Sequence, residues 1–144
     1  MWDALLIAFA IFSLCVVIHI GGIMTLADLL SRRIRPNKVG NLLFDMEILL
    51  IAFASVILLH LFETTTWAFY YYFQGLFPDF ETSLYFSFTC YTTMGFGDVV
   101  LPERWRILGG VEGFSGVLLC GLSTAFLFVV LSTLRTQRND ERSG

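Results

Sequence analysis

The 144 residues are 56% hydrophobic and only 15% charged, with a mean hydropathy of +0.74; a soluble domain of this length has no interior large enough to hide so much apolar surface. A formal net charge of -3 with no basic arm argues against a nucleic-acid partner. Cys15, Cys90 and Cys120 show no metal-ligand spacing and read as small packing residues.

Ala4 to Ala27 carries no Asp, Glu, Lys or Arg, and at about 1.5 Å per residue it reaches roughly 36 Å, enough to cross a bilayer with some tilt. It lacks the basic leader of a signal peptide, and Ser31-Arg32-Arg33 follows where a small-residue cleavage site would be needed. It therefore reads as a first transmembrane helix. His19 lies within it, as a hydrogen-bonded packing residue or, alternatively, a pH sensor. Gly21 and Gly22 beside it permit close helix contact.

Arg35-Pro36-Asn37-Lys38-Val39-Gly40 has the chemistry of a break. A second helix is predicted from about Asn41, with Asp45 and Glu47 in its first turns, where the helix dipole favours acids. Its apolar core, Ile48 to Phe62, is short for a span, so the helix is expected to continue past Glu63 into Trp67–Phe73, an aromatic run suited to the membrane interface. Gly113 to Leu134 is uncharged and makes the last helix, followed by Arg135, Arg138 and Arg142. Those arginines and Arg32, Arg33, Arg35 and Lys38 fall on one side, which the positive-inside rule makes cytoplasmic. The N-terminus is then outside, and only Arg104 and Arg106 break the pattern.

Between the second and last spans, Pro78-Asp79-Phe80-Glu81 stops one helix and starts another, with Asp79 as N-cap. Phe80 to Thr92 reaches roughly 20 Å as a helix, too short to cross. Both neighbouring spans meet it on the outer side, so the segment is re-entrant. Non-helical backbone at membrane depth must be covered by protein or line a wet cavity. Thr92-Thr93-Met94-Gly95-Phe96-Gly97-Asp98 follows. To turn successive carbonyls the same way, alternate residues must be left-handed, which glycine allows and other residues resist by about 1–2 kcal/mol. The short helix also aims its partial negative end at the centre, where it favours a cation.

That heptapeptide resembles the signature of potassium channels. The order of span, short re-entrant helix, glycine-containing loop and span looks like a potassium-channel pore module over residues 41–135. The whole chain resembles small bacterial ion-channel proteins with one helix added before that module. The resemblance implies an all-α membrane protein of three transmembrane helices with a re-entrant pore helix and selectivity-filter loop. Its divisions are 1–40 (peripheral first helix and cytoplasmic loop), 41–135 (pore module) and 136–144 (short cytoplasmic tail). It further implies a homotetramer among membrane lipids in the bacterial inner membrane, with no cofactor and with potassium as the permeant ion. By this likeness the carbonyls of Thr93, Met94, Gly95 and Phe96, with the Thr93 hydroxyl, replace the ion's hydration shell, and Gly97 belongs to the same filter.

Three positions depart from the common pattern. Met94 stands where valine or isoleucine is usual, and Phe96 where tyrosine is common. Thr89 occupies the pore-helix position at which some members carry a carboxylate facing the acid after the filter, here Asp98. Tyr85 is the expected donor to Asp98. In place of that carboxylate, some of His60, Glu63, Glu112 and Arg104 or Arg106 are expected to gather behind the filter, the alternative being that Glu63 and Glu112 reach headgroup water. His60 and Glu63 could supply two metal ligands, but no further His or Cys lies near them in sequence. Gly116 and Gly121 are candidates for a gating bend or for plain helix packing. Phe126, Phe128 and Val130 are candidates for a hydrophobic constriction, packing being the expectation for most of them.

No span carries arginine at every third position, so a voltage sensor is not expected. The stretch after Leu134 is too short for a ligand-binding domain. No phosphate loop, triad spacing or His-Glu metal motif suggests an enzyme. The expected function is a tetrameric potassium-selective channel. The alternatives are a weakly selective monovalent cation channel and a non-conducting membrane subunit partnering a larger channel.

Overall fold

The computed structural model describes residues 2–34 and 41–143. Four helices follow in order: α1 (Trp2–Arg33), α2 (Leu42–Phe73), α3 (Phe80–Tyr91) and α4 (Arg106–Ser143), the last preceded by a 3-10 turn at Glu103–Trp105. α1, α2 and the segment containing α4 are long and apolar enough to cross a membrane, so the chain is an all-α membrane protein. The break expected at 35–40 lies outside the described residues.

Local chemistry accounts for the ends. Asn41 caps α2 by accepting from the Leu43 amide at 3.0 Å. At the other end Gly75 takes φ +63°, and the amides of Gly75 and Leu76 bond back to Tyr72 and Tyr71 at 3.0 and 3.1 Å. This Schellman turn needs a left-handed residue, which glycine supplies without a Cβ clash. Asp79 caps α3, accepting from the Thr82 amide at 2.7 Å. With 12 residues, α3 reaches about 18 Å and cannot span.

Two boundaries differ from the sequence reading. α1 runs on to Arg33, since the residues after Ala27 are good helix formers and Arg32 pairs with Asp28 one turn back at 2.7 Å. α4 begins at Arg106 rather than Gly113 and continues to Ser143. Its first turns present Gly109 and Gly113 to α3, where an added Cβ would come within 3.3 Å of Phe86 and 3.1 Å of the Cys90 carbonyl respectively. Tertiary contact thus extends a helix that hydropathy alone begins later.

Two apolar clusters hold the helices. In one, Ala4, Ala8 and Cys15 of α1 meet Trp67, Tyr71, Phe86, Leu108 and Leu119. In the other, Leu26 and Leu30 meet Ile48, Ala52, Val56, Phe126, Val130 and Leu134. Phe126 and Val130 are thus buried within the chain, whereas Phe128 is exposed. Leu43, Leu50, Leu58 and Phe73 also turn outward, as in a chain whose surroundings are apolar.

The two candidate hinge glycines differ. A Cβ on Gly116 would collide with the Tyr91 carbonyl, the last turn of α3, while nothing lies within 4 Å of one on Gly121. Gly116→Ala is expected to lower stability by about 1–3 kcal/mol through overpacking. Gly121→Ala should be neutral or raise it by up to about 1 kcal/mol. Chemical unfolding in detergent micelles compares the two.

Candidate ion-conduction site

The 92–98 segment emerges from the C-terminus of α3 and stays tied to it. Thr92 N–H bonds to the Phe88 carbonyl at 3.1 Å, Thr93 N–H to Cys90 at 2.9 Å and Gly95 N–H to Thr89 at 3.0 Å. Thr93, Gly95 and Gly97 have φ of 60°, 50° and 79°. Every second residue is left-handed, and Thr93 is the one non-glycine with positive φ among the described residues. For a β-branched residue that conformation costs about 1–3 kcal/mol and persists only where its surroundings enforce it. Met94 and Phe96 are 65% and 66% exposed in the single chain. A recess of about 370 Å³ opens beside the segment, between Thr89, Thr93 and Gly95 on one wall and Gly109, Gly113 and Val117 on the other.

Asp98 follows the segment. Tyr85 in α3 donates its hydroxyl to Asp98 Oδ2 at 2.7 Å, and this bond holds the Asp98 carboxyl below the ordinary range. Thr89 instead donates to the Phe86 carbonyl of its own helix at 2.9 Å.

Behind the segment, the ionisable residues expected in one cluster divide into two. Glu112 is fully buried, accepting from Tyr71 Oη at 2.6 Å and lying against Ser87 of α3. Ser87 also reaches the Thr64 carbonyl at 2.7 Å. Glu63, equally buried, meets His19 Nδ1 at 2.7 Å, His60 Nδ1 at 3.3 Å and the Tyr91 hydroxyl. Ser123 of α4 touches both imidazoles. Neither carboxylate therefore reaches out to water.

The arginines join neither group. Arg104 lies over the Trp105 ring at 5.3 Å, and Arg106 Nε reaches the Leu101 carbonyl at 3.4 Å. They sit at the start of α4, where a guanidinium keeps its hydration rather than entering the apolar interior.

Sequence reasoning did not single out Ser87, Tyr91, Tyr71 or Ser123 as parts of this support. A signal existed: Ser83, Ser87 and Tyr91 recur every four residues in α3 and are all buried, marking one polar face. His19 could not be joined to Glu63 from spacing, because they are 44 residues apart. α1 thus does more than pack peripherally; it sends an imidazole into the layer that backs α3.

A model of the ion channel family matches residues 48–133, and the chain belongs to that family. The match covers α3, the 92–98 segment and most of the two helices around them. No curated protein and no solved structure matches the chain.

Removing the Tyr85 hydroxyl removes the main cause of the lowered Asp98 value. Tyr85→Phe should therefore raise the Asp98 pKa, read by carboxyl carbon NMR. The sign follows from the lowered value: the Tyr85–Asp98 bond contributes fully above the ordinary carboxylate range and fades as pH falls through the folded-state pKa.

Proposed function

We propose that the protein is a potassium-selective channel in which four copies of the 92–98 segment surround one axis. The alternation of left-handed residues at Thr93, Gly95 and Gly97 carries this reading. Such alternation turns the intervening carbonyls to one side, and a ring of them offers a hard cation oxygen ligands in place of water. One chain supplies one wall, which makes the homotetramer a requirement of the mechanism. The exposure of Met94 and Phe96 supports it, since both side chains then have neighbouring copies to pack against. The carbonyls of Thr93, Met94, Gly95 and Phe96 and the Thr93 hydroxyl hold K+. Thr92 and Gly97 bound the filter, and the Tyr85–Asp98 bond steadies its outer end.

Orientation follows from charge. Arg32, Arg33, Arg135 and Arg138 face the cytoplasm, and the filter mouth opens outside. The resemblance to small bacterial channels favours a bacterial inner membrane. Weaker selectivity is the second reading, favoured by the lack of a hydroxyl on Phe96, which leaves backbone bonds at Thr93 and Gly95 to tie the filter to α3.

Purified protein in liposomes should carry potassium flux down its gradient, and no flux would leave the non-conducting subunit reading. Bi-ionic reversal potentials should favour K+ over Na+; equal permeability would establish the weakly selective channel instead. Gly95→Ala, forced to φ near +50°, should abolish selective current.

Glu112 backs α3 through Ser87, taking the place of the missing pore-helix carboxylate. Glu112→Gln is expected to change the rate of inactivation in single-channel recordings. An unchanged rate would deny it that part.

A further inference from the structure

We propose that His19, His60 and Glu63 form a binding site for one divalent transition-metal ion of the zinc class, joining α1 to α2 beside the last turn of α3. One ligand atom from each residue lies within 4.8 Å of the others, and the two imidazole rings are 5.2 Å apart. Two imidazoles and a carboxylate suit a borderline-soft cation, with Tyr91 or water for a fourth position.

Hydrogen counting supports an ion. His19 Nδ1 meets Glu63 at 2.7 Å, and His60 Nδ1 meets the Tyr91 hydroxyl at 2.8 Å and Glu63 at 3.3 Å. The two Nε2 atoms converge on Ser123 Oγ at 3.0 and 3.1 Å, and Tyr91 also bonds Glu63. Neutral imidazoles bring one N–H each, and Ser123 and Tyr91 one O–H each. Even with one His60 N–H shared between Tyr91 and Glu63, these contacts need five hydrogens, one more than the four available, a gap that a proton or a metal ion can fill.

A metal ion resolves the shortfall. Both histidines then carry their hydrogen on Nε2 and donate to Ser123, whose oxygen has two lone pairs. Both Nδ1 lone pairs turn to the ion together with one Glu63 oxygen, and Tyr91 donates to the other. A shared acceptor behind two ligating imidazoles is the outer-shell arrangement that fixes their tautomers. His19 and Glu63 are fully buried, while His60 keeps 19% of its side chain exposed.

The test uses the full chain in detergent, stripped by chelator and titrated with Co2+. The expected result is one Co2+ per chain with the intense visible bands of a tetrahedral site, displaced by Zn2+. His19→Gln and His60→Gln should each weaken binding by more than about 100-fold, and Ser123→Ala by about 10–100-fold. Cys120→Ser should leave binding unchanged. The chain has two histidines, so nitrogen NMR of labelled wild-type protein gives a readout that needs no variant to fold. Zn2+ should shift both Nδ1 signals while both Nε2 atoms stay protonated. Absence of the Co2+ bands, undiminished affinity in His19→Gln, or a shift in fewer than both histidines would overturn the site and leave a proton as what completes the network.

Discussion

Backbone amides and carbonyls cannot be left bare in hydrocarbon, where each unpaired group costs several kcal/mol. The 92–98 segment violates helical pairing by design, with left-handed residues at alternate positions. The rest of the structure can be understood as what makes that violation tolerable. α3 supplies carbonyl partners to the first amides of the segment, and α4 approaches the end of α3 so closely that Gly116 has no room for a side chain.

α3 is too short to be held by a lipid interface at each end, so it is held from the side. Ser83, Ser87 and Tyr91 lie on its buried face, and two carboxylates receive it: Glu112 at Ser87 and Glu63 at Tyr91. A buried carboxylate that loses a partner is costly, whereas a satisfied one fixes geometry. Polar attachment of this kind sets the position of α3 more sharply than sliding apolar contact would, because hydrogen bonds are directional. The cost is that each carboxylate must be supplied with donors from several helices at once. Glu63 draws on α1, α2 and α3, which ties the first helix to the family's pore region even though the family match begins later, at residue 48.

Much of this was legible in residue order. Ala4–Ala27, the apolar run from Ile48 and the uncharged stretch to Leu134 marked three spans, because hydrocarbon admits long apolar helices and little else. Asp79 after Pro78 marked the start of α3, since a capping oxygen acts on amides two or three residues away. The spacing of Gly95 and Gly97 foretold the alternating backbone, which is a property of adjacent residues. The start of α4 was missed because Glu112 and the glycines before it lower hydropathy, while packing against α3 keeps them helical.

What the sequence determined by itself was therefore local or periodic: the number of spans, a helix too short to cross, its cap, and a backbone able to turn left-handed at alternate residues. Only the tertiary structure decided that Glu63 and Glu112 serve separate polar groups, that the arginines join neither, and that His19 reaches Glu63 across 44 residues. The physical reason is that a helix's periodicity says which of its residues share a face, but which neighbour that face meets depends on how all the helices pack together.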